Sequence, residues 1–363
     1  MIGTTLSRYF GMRFLGAVVA IFAGALVLVA MVDFIEMLRR SSDIKDVSTL
    51  FVAEITLYRL PYLTERLMPF SVLVGAMSCY LNLSRRLELV IARAAGVSAW
   101  QFIAPAIVIA LLIGIAATTI YNPLSAAMRE ESARMEAELF RRDKNSFHDL
   151  GSGFWIRQRS EDGQSIMNAQ SSSQQGVQLS GVTVFRLDPS GRFLDRIEAK
   201  TARLENGYWR LEGARVNAEQ SPPLDHAVYN LKTSLTTAQV RENFATPDAV
   251  SFWQLSSYIA LAENAGLAAA GYRVQFYVLL LQPFYLAGMV LLAAAVSLRL
   301  FRFGGVQKMV LSGIGAGFLL YVMSKVTGDL SKAGLMPPIM AAGLPVLFGG
   351  LTGVLTLLFQ EDG

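Results

Sequence analysis

Arg39 and Arg40 stand side by side just after the first apolar run of the chain, and they are the ionisable pair with the clearest chemistry to offer. A guanidinium is permanently charged, planar and able to grip two phosphate oxygens at once, so two of them at the mouth of an apolar cavity suit an anionic, phosphate-bearing ligand. The plainer alternative is that both reach out to lipid headgroups. Arg59 and Arg66 could enlarge the cluster, but Glu36, Glu54 and Glu65 are placed to neutralise them, and a structural role is expected for both. Lys325, with Ser324 and Asp329 nearby, is expected to reach the same interface.

Covalent and acid–base chemistry finds little to work with. The two histidines, His148 and His226, lie far apart and in no metal-ligand spacing, and neither a zinc-protease helix signature nor a Gly-x-Ser-x-Gly elbow occurs. Gly313-Ile314-Gly315-Ala316-Gly317 is no phosphate loop, because no Lys-Ser/Thr pair follows and the run around it is apolar. Gly313 and Gly317, one helical turn apart, are instead expected to let two helices approach closely. The chain is therefore expected to be no enzyme, with no catalytic residue, no metal site and no cofactor of its own.

Residues 84–98 carry a different kind of signal. Leu87, Val90, Ile91 and Ala94 follow the i, i+3, i+4, i+7 spacing of one apolar helical face, Gly96 is placed to end that helix, and Ser98 to cap the next. Arg85, Arg86 and Arg93 need no more than charge topology to explain them. A short rigid helix with an apolar face and Glu88 on it is what a membrane protein driven by a separate ATPase needs, since it can lie in the partner's groove and transmit motion.

These residues must be positioned by a membrane fold. Of the 363 residues 53% are hydrophobic and 17% charged, and the mean hydropathy is +0.41, which points to a polytopic membrane protein. The balance of 32 basic to 28 acidic residues, a net +4, is too small to suggest nucleic acid. The one cysteine, Cys79, lies in an apolar run, so no disulfide framework is expected. Residues 1–13 read as a short interfacial helix, and the first apolar run as a retained span rather than a cleaved signal. Spans are expected over residues 14–32, 68–83, 100–121, 274–298, 309–326 and 339–359, with an amphipathic lead-in over 51–67. Asn122-Pro123 is expected to end the third span, and Pro283 to interrupt the fourth. A charged helix over 125–140, alternating strand segments broken by turn residues over 150–250, and a helix over 252–266 fill the middle. The fold class is thus membrane α-helical, with six transmembrane helices and an inserted all-β, jelly-roll-like domain. Six spans leave both termini on one side. Arg8, Arg13, Arg85, Arg86, Arg93, Arg299, Arg302 and Lys308 lie there, against Arg39, Arg40, Lys45, Arg59, Arg66 and Lys332 opposite. That is eight to six, which places the termini and the 84–98 segment in the cytoplasm and the β domain outside.

The segment Glu88-Leu89-Val90 … Ala94-Ala95-Gly96-Val97-Ser98 resembles the coupling helix of the LptF/LptG lipopolysaccharide-export permeases. Other phrases follow in the family's order: Phe34 and then Arg39-Arg40, Pro61 and Pro69, Gly153-Phe154-Trp155-Ile156, Lys200-Thr201-Ala202 with Trp209-Arg210-Leu211, and Gly313 … Gly317-Phe318 … Tyr321 before Pro337-Pro338-Ile339. The likeness covers nearly the whole chain and leans to the LptG branch. Asp33 departs from it, standing where that branch often has a further basic residue. The resemblance implies a permease subunit of an ATP-driven transporter that extracts lipopolysaccharide from the bacterial inner membrane and passes it to a periplasmic bridge. It divides the chain into residues 1–125 (spans one to three with the coupling helix at 84–97), 126–266 (the periplasmic β domain with flanking helices) and 267–363 (spans four to six). The implied partners are an LptF-like permease, an LptB-like ATPase dimer that binds the ATP, and LptC/LptA-like periplasmic proteins. By the same resemblance Arg39 and Arg40 would meet the lipid A phosphates, and Phe34, Phe318 and Tyr321 would line the acyl-chain cavity. Leu87, Glu88, Val90, Ile91 and Gly96 would form the ATPase contact. The paralogous LptF subunit and a non-transporting scaffold coupled to an ATPase are the alternatives.

Overall fold

The computed structural model of the chain describes residues 4–42, 47–141, 154–160, 163–173, 177–188, 192–205, 207–218, 222–233, 247–264, 269–301 and 306–361. It opens on α1, Thr4–Ser41, a single helix of 38 residues. The expected interfacial helix and first span are one element, because no proline intervenes and the glycines in the run are tolerated. At 1.5 Å per residue it is about 57 Å long, well beyond a hydrocarbon core of about 30 Å. Both its basic ends therefore reach past the apolar stretch.

Helices α2, Thr49–Glu65, and α3, Met68–Arg85, meet at a 67° bend, where Pro69 opens α3. The short α4, Glu88–Ala94, follows, and then α5, Ala99–Ala116, started by a full capping box of Ser98 and Gln101. Asn122-Pro123 does not end this span. The helix widens into a π-turn over Ala117–Tyr121, in which the Asn122 amide donates to the Ala117 carbonyl, and continues as α6, Asn122–Arg141. A wider turn absorbs a proline that would clash in a regular helix. Asn122 is then free to act as a clasp. Its Nδ2 donates to Glu65 Oε1 of α2 at 2.8 Å, and its Oδ1 accepts from the Phe252 amide at 2.8 Å.

Six strands come next: β1 Phe154–Ser160, β2 Gly163–Ser173, β3 Gln178–Leu187, β4 Phe193–Glu205, β5 Tyr208–Ala218 and β6 Leu224–Lys232. They form one antiparallel sheet in sequence order. The inserted all-β domain is as expected; its connectivity is a meander, which two-residue links such as 161–162 and 206–207 favour because they join only antiparallel neighbours. A crease crosses the sheet. The ladder skips one position in three strand pairs and two in the β4–β5 pair, at Gln170, Gly181, Ala199 with Lys200, Gly213 with Ala214, and Ala227, while the register across the gap is unchanged. Gly181 and Gly213 take positive φ there, which a side chain would resist. The inward-facing residues change parity at the same line: Leu179, then Val182 and Val184; Ile197 and Ala199, then Ala202 and Leu204; Trp209 and Leu211, then Ala214. The sheet folds over this core, which is built from residues 167–231 alone.

The chain returns through a short 3-10 turn at Pro247–Ala249 to α7, Phe252–Asn264, followed by α8, Ala270–Phe301, α9, Val306–Lys332, and α10, Pro338–Glu361. Among the described residues five helices are long and apolar enough to cross a membrane, six if the bent pair α2–α3 is counted as one span. Their common core joins α1, α3, α5 and α8 through Phe14, Leu73, Phe102 and Met289. Small residues set the spacing: a Cβ on Gly75 would lie 2.7 Å from Val18 Cα, one on Gly114 would overlap the Pro283 backbone, and ones on Gly313 and Gly317 would overlap Met77 and Leu73 of α3. The expected close packing at Gly313 and Gly317 is thus present. Pro283 does not interrupt α8. It denies the Leu279 carbonyl its donor, and Thr118 Oγ1 of the π-turn supplies one at 2.8 Å. The same device recurs at Pro345 in α10, where the freed Ala341 carbonyl accepts from Thr327 Oγ1 of α9 at 2.8 Å.

Candidate functional site

The residues singled out by the sequence gather at opposite ends of the bundle. At one, Arg39 and Arg40 close α1, with 77% and 55% of their side chains exposed. Neither is free. Glu36, one turn back, accepts from Arg39 Nε at 3.1 Å and from Arg40 Nε at 2.9 Å, so two cations share one carboxylate. The i, i+3 and i, i+4 spacing that makes this possible is visible in the sequence.

Beneath the pair lies a less exposed charge cluster. Arg59 of α2 reaches Asp33 of α1 at 3.3 Å and Glu136 of α6 at 2.6 Å, with Met37 Sδ at 3.1 Å. The partners expected for Arg59 and Arg66 are corrected accordingly. Glu36 serves Arg39 and Arg40, and Glu65 is taken by Asn122 and Ser125. Arg66 pairs with Asp248 at 2.7 Å. Asp33 and Glu136 reach Arg59 across 26 and 77 positions of sequence, a separation that no local pattern reports. Asp33, the departure noted in the sequence, thus ties α1 to α2.

The three aromatic residues proposed to line a cavity occupy two places. Phe34 packs against Met37, Val52, Ile55 and Leu139, where α1, α2 and α6 meet. Phe318 and Tyr321 face outward from α9, Tyr321 with its ring 5.7 Å from that of Phe70. His226 lies in β6 with its ring 5.8 Å from that of Tyr229, and His148 is outside the described residues.

At the other end, α4 presents its apolar face to the outside. Leu89 and Ala92 are buried and anchor the helix, whereas Leu87, Val90 and Ile91 are exposed, Ile91 by 67%. The helix is thus held by one apolar stripe and leaves a second one exposed. Leu87 precedes it with φ 61°, the one non-glycine residue of positive φ among the described residues. Such a conformation costs about 1 kcal/mol or more and persists where the surroundings demand it. Gly96, with φ 85°, ends the turn as expected. Glu88 is tied down: Tyr9 of α1 donates its hydroxyl to Glu88 Oε2 at 2.9 Å, and Arg13 donates to the same Tyr9 oxygen at 3.2 Å. Sequence reasoning missed Tyr9, which acts across 79 positions.

Residues 8–358 match the sequence model of a family described as lipopolysaccharide export system permease LptF/LptG. The chain belongs to the LptF/LptG permease family. Among its relatives are the lipopolysaccharide export system permease protein LptG of Haemophilus influenzae, 25% identical over 98% of this chain and 96% of that protein, and LptG of Escherichia coli K12, 24% identical over 94% of each. The six apolar spans, the inserted antiparallel sheet and the outward-facing α4 are accordingly features of an LptF/LptG chain. At this identity its side chains have to be read on their own geometry.

Proposed function

We propose that this chain is the LptG-type permease subunit of an ATP-driven exporter that lifts lipopolysaccharide out of the inner membrane and hands it to a periplasmic bridge. The observation that carries this reading is the exposed apolar face of α4 in a chain whose family is lipopolysaccharide export permeases. ATP binding and hydrolysis belong to a separate LptB-like dimer, which receives Leu87, Val90 and Ile91 in a groove. The weak excess of basic residues on the α4 side favours cytoplasmic termini and a periplasmic sheet. LptC- and LptA-like proteins then continue the path from the sheet.

The substrate explains why a folded apolar route is needed. Each methylene moved into water costs about 0.8 kcal/mol, so one acyl chain of about a dozen methylenes costs roughly 10 kcal/mol, and lipid A carries several. Sheltering them calls for a cavity wall from each of two permeases. Phe318 and Tyr321, which face out from α9, suit a wall completed by an LptF-like partner. Arg39 and Arg40 meet the lipid phosphates at its mouth.

Purification of the tagged chain in mild detergent, with identification of bound proteins and lipid, tests this directly. Recovery of an ATPase, a second permease and lipopolysaccharide is expected. A chain that comes out alone, or with an ATPase but without lipopolysaccharide, would overturn the transport reading.

A further inference from the structure

Two adjoining cavities of about 480 and 530 Å³ open where the span ends of α8, α9 and α10 come together. Both are lined by Glu263 of α7, Arg273 of α8 and Pro338 of α10. They lie on other elements than Arg39, Arg40 and α4.

Several features of the first cavity ask for an anion. α8 and α10 both begin at it, and neither carries an acidic residue in its first turn. The positive ends of two long helices thus carry no carboxylate of their own, and the carboxylate that does line the cavity, Glu263, is engaged with Arg273. Arg273 sits within that first turn of α8, a position where a cation is disfavoured by the helix dipole. Ser331 of α9 also lines the cavity; it is 1% exposed and its Oγ has no hydrogen-bond partner. A buried hydroxyl without a partner is costly and uncommon, and it points to a group that arrives from outside. Glu263 pairs with Arg273 in the chain as it stands. That carboxylate answers only the guanidinium, and both partners are nearly half exposed, so a stronger anion can displace it.

The second cavity shares Glu263, Arg273 and Pro338 with the first. Phe276, Tyr277 and Ile339 add apolar walls beside them. A guanidinium and a buried hydroxyl beside aromatic and aliphatic walls, at the level where spans leave the membrane, match the polarity of a phospholipid. We propose that the site holds an anionic phospholipid, with its phosphate at Arg273, Ser331 and the first turns of α8 and α10 and an acyl chain along Phe276 and Ile339. The lipid would join α7, α8, α9 and α10 from outside the bundle core and would remain in place rather than be transported.

The test uses the full chain, purified in mild detergent together with whatever accompanies it, and native mass spectrometry to count retained lipid. Phosphatidylglycerol is expected to bind about tenfold more tightly than phosphatidylcholine, and Arg273→Gln to lose about that factor. Equal retention of the two lipids, or an unchanged phosphatidylglycerol affinity in Arg273→Gln, would overturn the proposal. Since that variant also breaks an ion pair, Glu263→Gln serves as its control. It breaks the same pair, leaves the cation, and is expected to bind about threefold more tightly; a loss matching that of Arg273→Gln would mean a structural role only and would sink the idea. Inorganic phosphate that displaces the lipid at equal concentration would reduce the site to a simple anion pocket and overturn the lipid assignment. Neutralising Arg39 and Arg40 is expected to leave this binding unchanged, so failure here and failure of the export reading are told apart.

Discussion

Glu36 decides how much of the charge of Arg39 and Arg40 is on offer. It holds both guanidiniums through exposed contacts, and exposed ion pairs contribute little, so a phosphate with more charge and more acceptors can take them over. Arg39→Glu with Arg40→Glu is expected to lower lipid-stimulated ATP turnover of the assembled complex about tenfold without changing its composition, whereas Glu36→Gln should raise apparent lipid affinity. Turnover of the purified double variant at the normal rate would remove the phosphate role. Glu88 calls for a paired comparison, because it stands on the helix proposed to meet the ATPase and also accepts from Tyr9. If the carboxylate itself touches the ATPase, Glu88→Ala should reduce ATPase co-purification and Tyr9→Phe should not. Equal losses would show that it acts by orienting α4 against α1. Of these contacts the Glu36 pairs were legible, since they join neighbours one helical turn apart. The Arg59 cluster and the Tyr9–Glu88 bond were not, because folding alone brings those segments together.

Among the helices, the clearest lesson is the fate of proline. Asn122-Pro123 reads as a stop and Pro283 as an interruption, yet both helices pass through. A π-turn makes room for the first, and a threonine from that same turn repairs the second. A sequence pattern marks where a backbone bond is lost and is silent about which distant hydroxyl restores it. Thr118→Val should cost about 1 kcal/mol of stability, within the range found for interhelical hydrogen bonds in membranes. In a Pro283→Ala background, where the helix regains its own donor for Leu279, the same change should cost close to nothing. Unfolding midpoints of the four proteins in one detergent would check this, and equal losses in both backgrounds would show that Thr118 matters through packing instead. The spans themselves were legible from hydropathy. The merging of residues 1–13 into α1 was not, because an amphipathic start and an apolar span share one helical period.

Taken as a whole, the molecule has a bundle core and a sheet core with no residue in common. Replacing residues 142–246 with a flexible Gly/Ser linker is therefore expected to leave the helical part inserted, with its unfolding midpoint close to that of the full chain, while abolishing transfer of lipid. Aggregation of the shortened chain in membranes would show that the sheet is needed for the bundle to fold. The insertion of a β domain between the third and fourth spans was legible from the switch in periodicity. The crease was not, although Gly181 and Gly213 stand on it, since glycines inside strands have several uses and only the parity of the buried residues reveals the line. That line has a mechanical consequence. β3, β4 and β5 each run through the fold, so each contributes to both leaves of what is in effect an opened book, and the spine is where the ladder has already given up one or two rungs in each of four neighbouring strand pairs. Swinging the leaves apart asks for rotation at the spine and leaves the paired rungs on each page intact, so the gap between the leaves can widen for a bulky guest and narrow behind it with the strands unbroken.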